Sequence, residues 1–173
     1  MTDSCHVPHG IIRDTSGNSG RMLTNEKELS LMEKEKIIAR AEEIIAQRAN
    51  AGSGNYCSLI FTDPDGSPVA TTISISKSQG LQWLTFCTGV GAHAPVQLAQ
   101  CPKASVCLNS PEYHICLTGT TELLTDLETR REMWYEGLCN HFTGPEDPNL
   151  CVIKFTPHRY SLFVDWEQAR GEL

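Results

Sequence analysis

The segment that decides the fold begins with the run Tyr56–Thr62 (YCSLIFT), turns at Asp63-Pro64-Asp65-Gly66-Ser67-Pro68 and continues as Val69–Ser76 (VATTISIS). Both runs alternate or are β-branched, which predicts two strands joined by a turn. A third run, Leu81–Thr88 (LQWLTFCT), breaks into the glycine-rich Gly89–His93 (GVGAH) and a helix-like piece. Free backbone N–H groups at such a strand–turn–helix junction can hold a phosphate. The segment therefore predicts a β fold and a candidate cofactor site.

The bulk composition sets the class of the protein. The chain has 173 residues, a formal net charge of −7 and a pI near 5.3. An acidic chain without a Lys/Arg cluster argues against a nucleic-acid surface. There is no apolar run of the length of a membrane span and no signal-peptide core, so we expect no membrane partner and a cytoplasmic location.

The eight cysteines resemble a disulfide framework but lack its spacing. None forms C-x-x-C and no two pairs have zinc spacing, so we expect reduced thiols and no metal site. Cys5-His6 with His9 lies in a polar tail, where an irregular end is the better interpretation. The cysteines inside strand-like runs are predicted to be buried core thiols: Cys57, Cys87, Cys107, Cys116 and Cys151.

The chain is predicted to contain an irregular N-terminal extension, 1–29, and a single domain, 30–173. Ser30 and Glu33 form a capping box, and an apolar stripe at helical spacing then continues until Gly52. Helices are also predicted near Pro95–Gln100 and Asp126–Phe142. The predicted strands are Tyr56–Thr62, Val69–Ser76, Leu81–Thr88, Ala104–Asn109, Tyr113–Leu124, Leu150–Phe155 and Arg159–Val164.

The first three strands are joined by short turn signals and are expected to form an antiparallel meander. Six or seven antiparallel strands with short helical inserts predict a mainly β protein, a closed or nearly closed barrel that hides its sheet edges.

Several segments, in this order, resemble the split-barrel flavin-binding family that includes pyridoxamine 5′-phosphate oxidase. They are Gly66-Ser67-Pro68, Trp83–Thr88, Cys101–Val106 and the strand Tyr113–Glu122 (YHICLTGTTE). Gly144–Pro148, Val152–Pro157 and the closing Trp166 are similar to its general-stress-protein branch in particular. The likeness covers roughly Asn55 to Trp166.

The resemblance implies a homodimer with an FMN cleft at the subunit interface. The second strand would run along the flavin ring and ribityl chain, the turn after the third strand would lie by the phosphate, and two residues would close the cleft. Carried over by position, the cofactor-binding residues are Thr71, Thr72, Ile73, Ser74, Thr88, Gly89, His93, His114 and Trp166.

The sequence departs from the family where the phosphate would be bound. His93-Ala94 stands where the family often has a Lys, and Thr71 where the oxidase has an Arg. Losing both cations removes the strongest charge-assisted bonds to a phosphate, for which a histidine is a partial replacement. Substrate-reading Arg and His residues beyond Trp166 are also absent, so pyridoxamine-phosphate oxidase activity is rejected.

Two functions remain. The first is an FMN-dependent oxidoreductase or flavin reductase acting on a small acceptor, in stress handling for example, in which the cofactor performs the redox chemistry. The alternative is a non-catalytic split barrel that binds haem or a deazaflavin, or that has lost cofactor binding. No nucleophile elbow, Walker loop or zinc motif supports another kind of catalysis.

Overall fold

The computed structural model describes residues 18–49 and 55–173, with side chains from residue 28 onward. Within the described part of the chain, residues 18–33 belong to one unit, and those from Lys34 to Leu173 belong to a second compact unit that contains the whole sheet. The elements follow in the order α1 (Asn18–Arg48), β1 (Tyr56–Thr62), β2 (Pro68–Ser74), β3 (Lys77–Gln79), β4 (Trp83–Gly89), α2 (His93–Leu98), β5 (Lys103–Asn109), β6 (Tyr113–Leu124), α3 (Leu127–Met133), a 3-10 helix (Glu136–Asn140), β7 (Leu150–Val164) and β8 (Glu167–Glu172).

The strands form one antiparallel eight-stranded sheet in the order β2-β1-β5-β6-β7-β4-β3, with β8 paired to β7. Its two ends, β2 and β3, are joined through Ile75 and Ser76 alone. The N–H of Ser76 donates to the carbonyl of Thr85 at 2.7 Å, which ties this connection to β4. The sheet therefore curls until its two end strands, β2 and β3, lie close enough to be connected by this short link. The predicted mainly β split barrel is confirmed.

The predicted meander of the first three strands is wrong. β2 pairs with β1, but β4 pairs with β3 and β7. The short polar strand β3 turns the chain back before β4 begins, and a three-residue strand has no visible period. The six-residue edge strand β8 was not predicted because its mostly polar sequence shows no apolar alternation. Leu150–Phe155 and Arg159–Val164 are two halves of β7, which continues through Pro157 beside a bulge in its pairing with β6.

The N-terminal helix begins at Asn18 rather than at Ser30, so residues 18–29 of the predicted irregular extension are helical. The capping-box pattern lies inside the helix because the residues before it, Glu26 to Leu29, are also strong helix formers. The predicted helix end at Gly52, the rest of the extension and the Cys5-His6-His9 group lie outside the described residues.

The core lies inside the curled sheet and is closed by the second half of α1. Ile37, Ala41, Ile44 and Ile45 are buried with the inward side chains of the strands, such as Phe86 and Phe155. Glu42 fixes the helix to the barrel, because its Oε1 accepts the N–H of Leu81 at 2.9 Å. Gly80 permits this approach: its φ is +51°, and a Cβ there would lie 2.2 Å from the same oxygen.

The third predicted helix is shorter than Asp126–Phe142. The Asp126 side chain accepts the N–H of Thr129 at 2.8 Å and caps α3, which ends at Met133. An extended residue, Trp134, then precedes the 3-10 helix. This segment covers the outer side of β4, where the Thr85 hydroxyl donates to Met133 Sδ at 3.3 Å.

The strand cysteines divide by the side of the sheet on which they lie. Cys57 and Cys151 are buried, as predicted, whereas Cys87, Cys107 and Cys116 are half-buried. Burial raises the pKa of Cys57 to about 12 and that of Cys151 to about 11, so these two are unreactive core thiols.

Candidate functional site

The turn after β4 is held in place by backbone hydrogen bonds. The N–H of Ala92 donates to the carbonyl of Gly89 at 2.9 Å, and the N–H of Val90 donates to the carbonyl of Asn149 at 2.8 Å. A Cβ on Gly89 would lie 3.3 Å from the Asn149 side-chain nitrogen, so a small residue suits this position. α2 then starts at His93. The predicted strand–turn–helix junction is therefore present and rigidly supported.

His93 connects this junction to the β1–β2 hairpin. Its Nε2 lies 2.8 Å from Oδ1 of Asp63, and its ring packs edge-on against Phe61 with centroids 5.3 Å apart. The Asp63 oxygen is buried and, within the described part of the chain, has no other polar partner. His93 itself is about half exposed, so one edge of its ring is fixed and the rest faces solvent.

The junction has less positive charge than a phosphate site usually has. A phosphate monoester carries about two negative charges at neutral pH. Between Thr88 and Leu98 there is no Lys or Arg, and the one imidazole there is paired with the Asp63 carboxylate. α2 has only six residues and adds little dipole. The shape predicted for a phosphate site is present, but its positive charge is not.

The predicted residues on β2 lie on an edge strand that alternates between two sides. Thr71 and Ile73 stand opposite Leu59 and Cys57 of β1 and share their core-facing side. Thr72 and Ser74 therefore face outward. Among the described strands β2 pairs with β1 only, so its other edge offers backbone groups to a ligand running along the strand.

His114 and Trp166 form a separate group around Phe163. His114 stands opposite Phe163 across β6 and β7, and its Nδ1 lies 2.5 Å from Oδ1 of Asn109. Trp166 is 85% exposed in the β7–β8 turn, where Asp165 and Trp166 have φ of 51° and 70°. Its ring meets Phe163 edge-on at 5.9 Å.

The predicted site residues thus fall into two groups on one protomer. The first group lies on β2 and at the β4–α2 junction and consists of Thr71–Ser74, Thr88, Gly89 and His93. The second group lies around Phe163 and consists of His114 and Trp166. Among the described residues, no hydrogen bond, ion pair or ring contact joins the two groups. The predicted cleft between two subunits therefore stays a prediction.

Three residues of this region were missed in the sequence. Asp63 was interpreted only as the first residue of a turn, and Asn149 lies far from Gly89 in sequence. Tyr135 follows α3 and interacts with the side chain of Ser74 on β2. Burial raises the pKa of the Tyr135 phenol, and the nearby Cys87 acts in the same direction. The sequence carries no local signal for these long-range contacts.

Other kinds of site find no support among the described residues. No group of three or more His, Cys, Asp or Glu side chains is arranged to hold a metal ion. None of the helices in this part of the chain combines the length and apolar character needed to cross a membrane.

Comparison with known proteins identifies the fold and the family. The family model for pyridoxamine 5′-phosphate oxidase-like proteins matches residues 46–171. No curated protein matches the chain in sequence.

Solved structures share the fold at low sequence identity. A Clostridium acetobutylicum protein related to general stress protein 26 of B. subtilis has a TM-score of 0.69 and 17% identity, over 80% of this chain and 96% of that one. An FMN-binding, oxidase-related protein from Nostoc punctiforme has a TM-score of 0.55 and 16% identity, over 80% and 94%. An F420 reductase has a TM-score of 0.55 and 16% identity, over 69% and 94%.

Proposed function

Because the chain belongs to the pyridoxamine 5′-phosphate oxidase-like family, we propose that it is a homodimeric flavoprotein with FMN as its cofactor. The observation that carries the proposal is the division of the predicted site into two groups on one protomer. A cleft made from β2 and the β4–α2 junction of one protomer, with His114 and Trp166 of its partner, would bring the two groups together.

Each group has a separate task in such a cleft. The free edge of β2, with Thr72 and Ser74, would hydrogen-bond along the cofactor. His93, with its ring held by Asp63, would face the phosphate, while Trp166 would cover the flavin and exclude water. FMN supplies hydride or electron transfer when bound, and the protein supplies orientation and access. We further propose that the acceptor is a small molecule.

The presence of the cofactor tests this function directly. We expect the purified protein to show a flavin absorption spectrum, or to acquire one after incubation with FMN and gel filtration. The bound flavin should be reduced by a nicotinamide donor. A colourless protein that does not retain FMN at micromolar concentration would contradict the proposal.

The Asp63–His93 pair favours a second candidate function, in which the barrel holds a cofactor without an FMN phosphate at this junction. The similarity in fold to an F420 reductase makes a deazaflavin the first cofactor to test. Haem is the second cofactor to test, and a barrel that has lost cofactor binding is the third possibility.

A thermal-shift panel of FMN, FAD, F420 and haem separates these functions, because a ligand that binds only the folded state raises Tm. FMN alone should raise Tm under the first proposal. A shift with F420 or haem alone would support the second, and no shift with any of them would indicate lost cofactor binding. A role in stress handling is supported only by the fold shared with general stress protein 26 relatives.

A further inference from the structure

A transverse row of side chains crosses the outer side of the sheet, next to the proposed cofactor residues Thr72 and His114. Ladder partners place Ser58 beside Cys107, Cys107 beside Cys116, Cys116 beside Ser161 and Ser161 beside Arg170. The two cysteines are free and half-buried. The row therefore presents two adjacent thiols, a small side chain and a guanidinium group on neighbouring strands.

Cys107 and Cys116 occupy a position in the ladder that permits a disulfide. The N–H of Ser110 donates to the carbonyl of Tyr113, so this pair is hydrogen-bonded. Hydrogen-bonded and non-hydrogen-bonded pairs alternate along an antiparallel ladder. Cys107–Cys116 is the third pair after Ser110–Tyr113 and is therefore non-hydrogen-bonded, with Cα atoms about 4.5 Å apart. That separation lies within the range that a disulfide spans.

The neighbouring non-hydrogen-bonded pairs of the β5–β6 ladder show how close opposite side chains come to each other. Asn109 Oδ1 and His114 Nδ1 are 2.5 Å apart, and Ser105 Oγ and Thr118 Oγ1 are 3.2 Å apart. The two thiols lie between these contacting pairs, on the same side of the sheet. The β5–β6 ladder therefore places the two side chains next to each other, at a backbone separation that a disulfide spans.

The two thiols differ in reactivity. The contact between the two thiols lowers the pKa of Cys116 and raises that of Cys107. An attacking thiol works best when its pKa is near the ambient pH, because both the thiolate fraction and its nucleophilicity matter. Cys116 also lines a pocket on this side of the sheet, whereas Cys107 does not, so Cys116 is assigned as the attacking thiol and Cys107 as the resolving one.

A pocket of about 460 Å³ opens beside Cys116. Ser161 is small and leaves space between Cys116 and Arg170, and the other lining residues include Thr118, Arg159 and Glu172. Arg159 stands opposite Glu172 in the ladder, whereas Arg170 stands opposite the uncharged Ser161. Among the described residues Arg170 has no ion pair. The pocket is therefore suited to a small anion next to a thiol.

We propose that Cys107 and Cys116 form a redox-active dithiol that exchanges with small disulfides bearing carboxylates, which Arg170 binds beside Cys116. This activity goes beyond the proposed flavin function and does not depend on it.

The exchange balances in two steps. The Cys116 thiolate attacks one sulfur of the small disulfide, whose S–S bond breaks; a mixed disulfide forms and the other half leaves as a thiolate, which takes up a proton. The Cys107 thiol then loses its proton and attacks Cys116 Sγ, so that the second half leaves as a thiol. The two protein thiols are oxidised to a Cys107–Cys116 disulfide, and the small disulfide is reduced to two thiols.

Incubation of the reduced full chain with oxidised glutathione tests the proposal, with peptide mapping by mass spectrometry as the readout. We expect a Cys107–Cys116 link within a chain that remains monomeric on a non-reducing gel. Cys107→Ser should instead trap glutathione on Cys116, and Cys116→Ser should form neither product. The matched control is Cys139→Ser, which removes an exposed thiol elsewhere and should leave the rate unchanged. Thermal melts establish that each serine variant is folded.

The role of Arg170 has its own comparison. Arg170→Gln should slow the reaction with oxidised glutathione about fivefold, as expected for losing one exposed ion pair. The reaction with the neutral bis(2-hydroxyethyl) disulfide should keep its rate. Equal slowing with both reagents, or with neither, would remove the anion-binding part of the proposal. Glutathione attached mainly to Cys139, or a link between two chains, would overturn the dithiol itself. All readouts follow thiols, so a failure of FMN binding leaves them unchanged.

Discussion

At the scale of single residues, the contact between Asp63 and His93 decides whether the β4–α2 junction suits a phosphate. The sequence predicted that His93 would replace the family's cation, and it could not reveal that a carboxylate lies 2.8 Å away. Asp63 is distant in sequence, and its Asp-Pro-Asp-Gly context predicts a turn regardless of what its side chain contacts. Turn chemistry is therefore readable from the sequence here, and the electrostatics of the junction are not.

Asp63→Asn is expected to tighten FMN binding. The change keeps the side-chain shape but removes a negative charge near the proposed phosphate position. A unit-charge pair at 4 Å is worth about 1 kcal/mol in water, so the Kd should fall about fivefold or more. His93→Ala should raise the Kd. Fluorescence titration of FMN measures both effects.

Asp65→Asn is the matched control for this titration. Asp65 lies in the same turn, and its exposed carboxylate accepts the N–H of Ser67 at 2.9 Å, without contacting His93. Asp65→Asn changes the net charge by the same amount as Asp63→Asn and should leave the Kd for FMN nearly unchanged. Equal effects of the two substitutions would show that the phosphate does not lie at this junction.

At the scale of elements, strands with a buried side were predicted well and edges were not. β1 and β6 have their predicted bounds because every second residue is buried in β1 and in β6 as far as Gly119, which imposes a period of two on the sequence. β3 and β8 are short or polar edge strands, whose sequences record no such period. The order of strand pairing was not predictable either. The chain passes through Ile75 and Ser76 to the other end of the strand order, so the expected pairing of β2 with β4 does not form.

Gly119 sets the register shift between β6 and β7, and its replacement should be costly. A Cβ at this position would lie 2.0 Å from the Thr156 carbonyl oxygen and 2.7 Å from Pro157 Cα, which are backbone atoms that cannot move aside easily. Gly119→Ala should therefore lower the free energy of unfolding by about 3 kcal/mol, the upper part of the range for overpacking. Urea denaturation measures the change.

Gly91→Ala provides the control for this loss of stability. A Cβ on Gly91 meets no atom within 4 Å, so its free energy of unfolding should stay within about 0.5 kcal/mol of the parent chain. If both variants unfold at the same urea concentration, the close approach at Gly119 is relieved by a small backbone shift and does not define the register.

At the scale of the whole molecule, the proposed cleft requires two protomers. Trp166 is almost fully exposed and, within the described chain, its ring contacts Phe163. An exposed tryptophan contributes little to folding, so its removal should change the free energy of unfolding by less than about 0.5 kcal/mol. Removing the Trp166 side chain would have a large effect only on the binding of a ligand or a partner that covers the ring.

Trp166→Ala should therefore weaken FMN binding about tenfold while leaving Tm of the cofactor-free protein unchanged, since an aromatic contact is worth about 0.5–1.5 kcal/mol beyond its buried area. Trp166→Phe keeps an aromatic ring and should retain most of the affinity. Sedimentation equilibrium with and without FMN measures the assembly state. We expect the cofactor to sediment with a dimer. We also expect it to be released when dilution separates the protomers. FMN that saturates a monomer would place the whole cleft within one protomer and contradict the interface proposal. An Ala variant that binds FMN as tightly as the parent chain would show that Trp166 does not cover the cofactor.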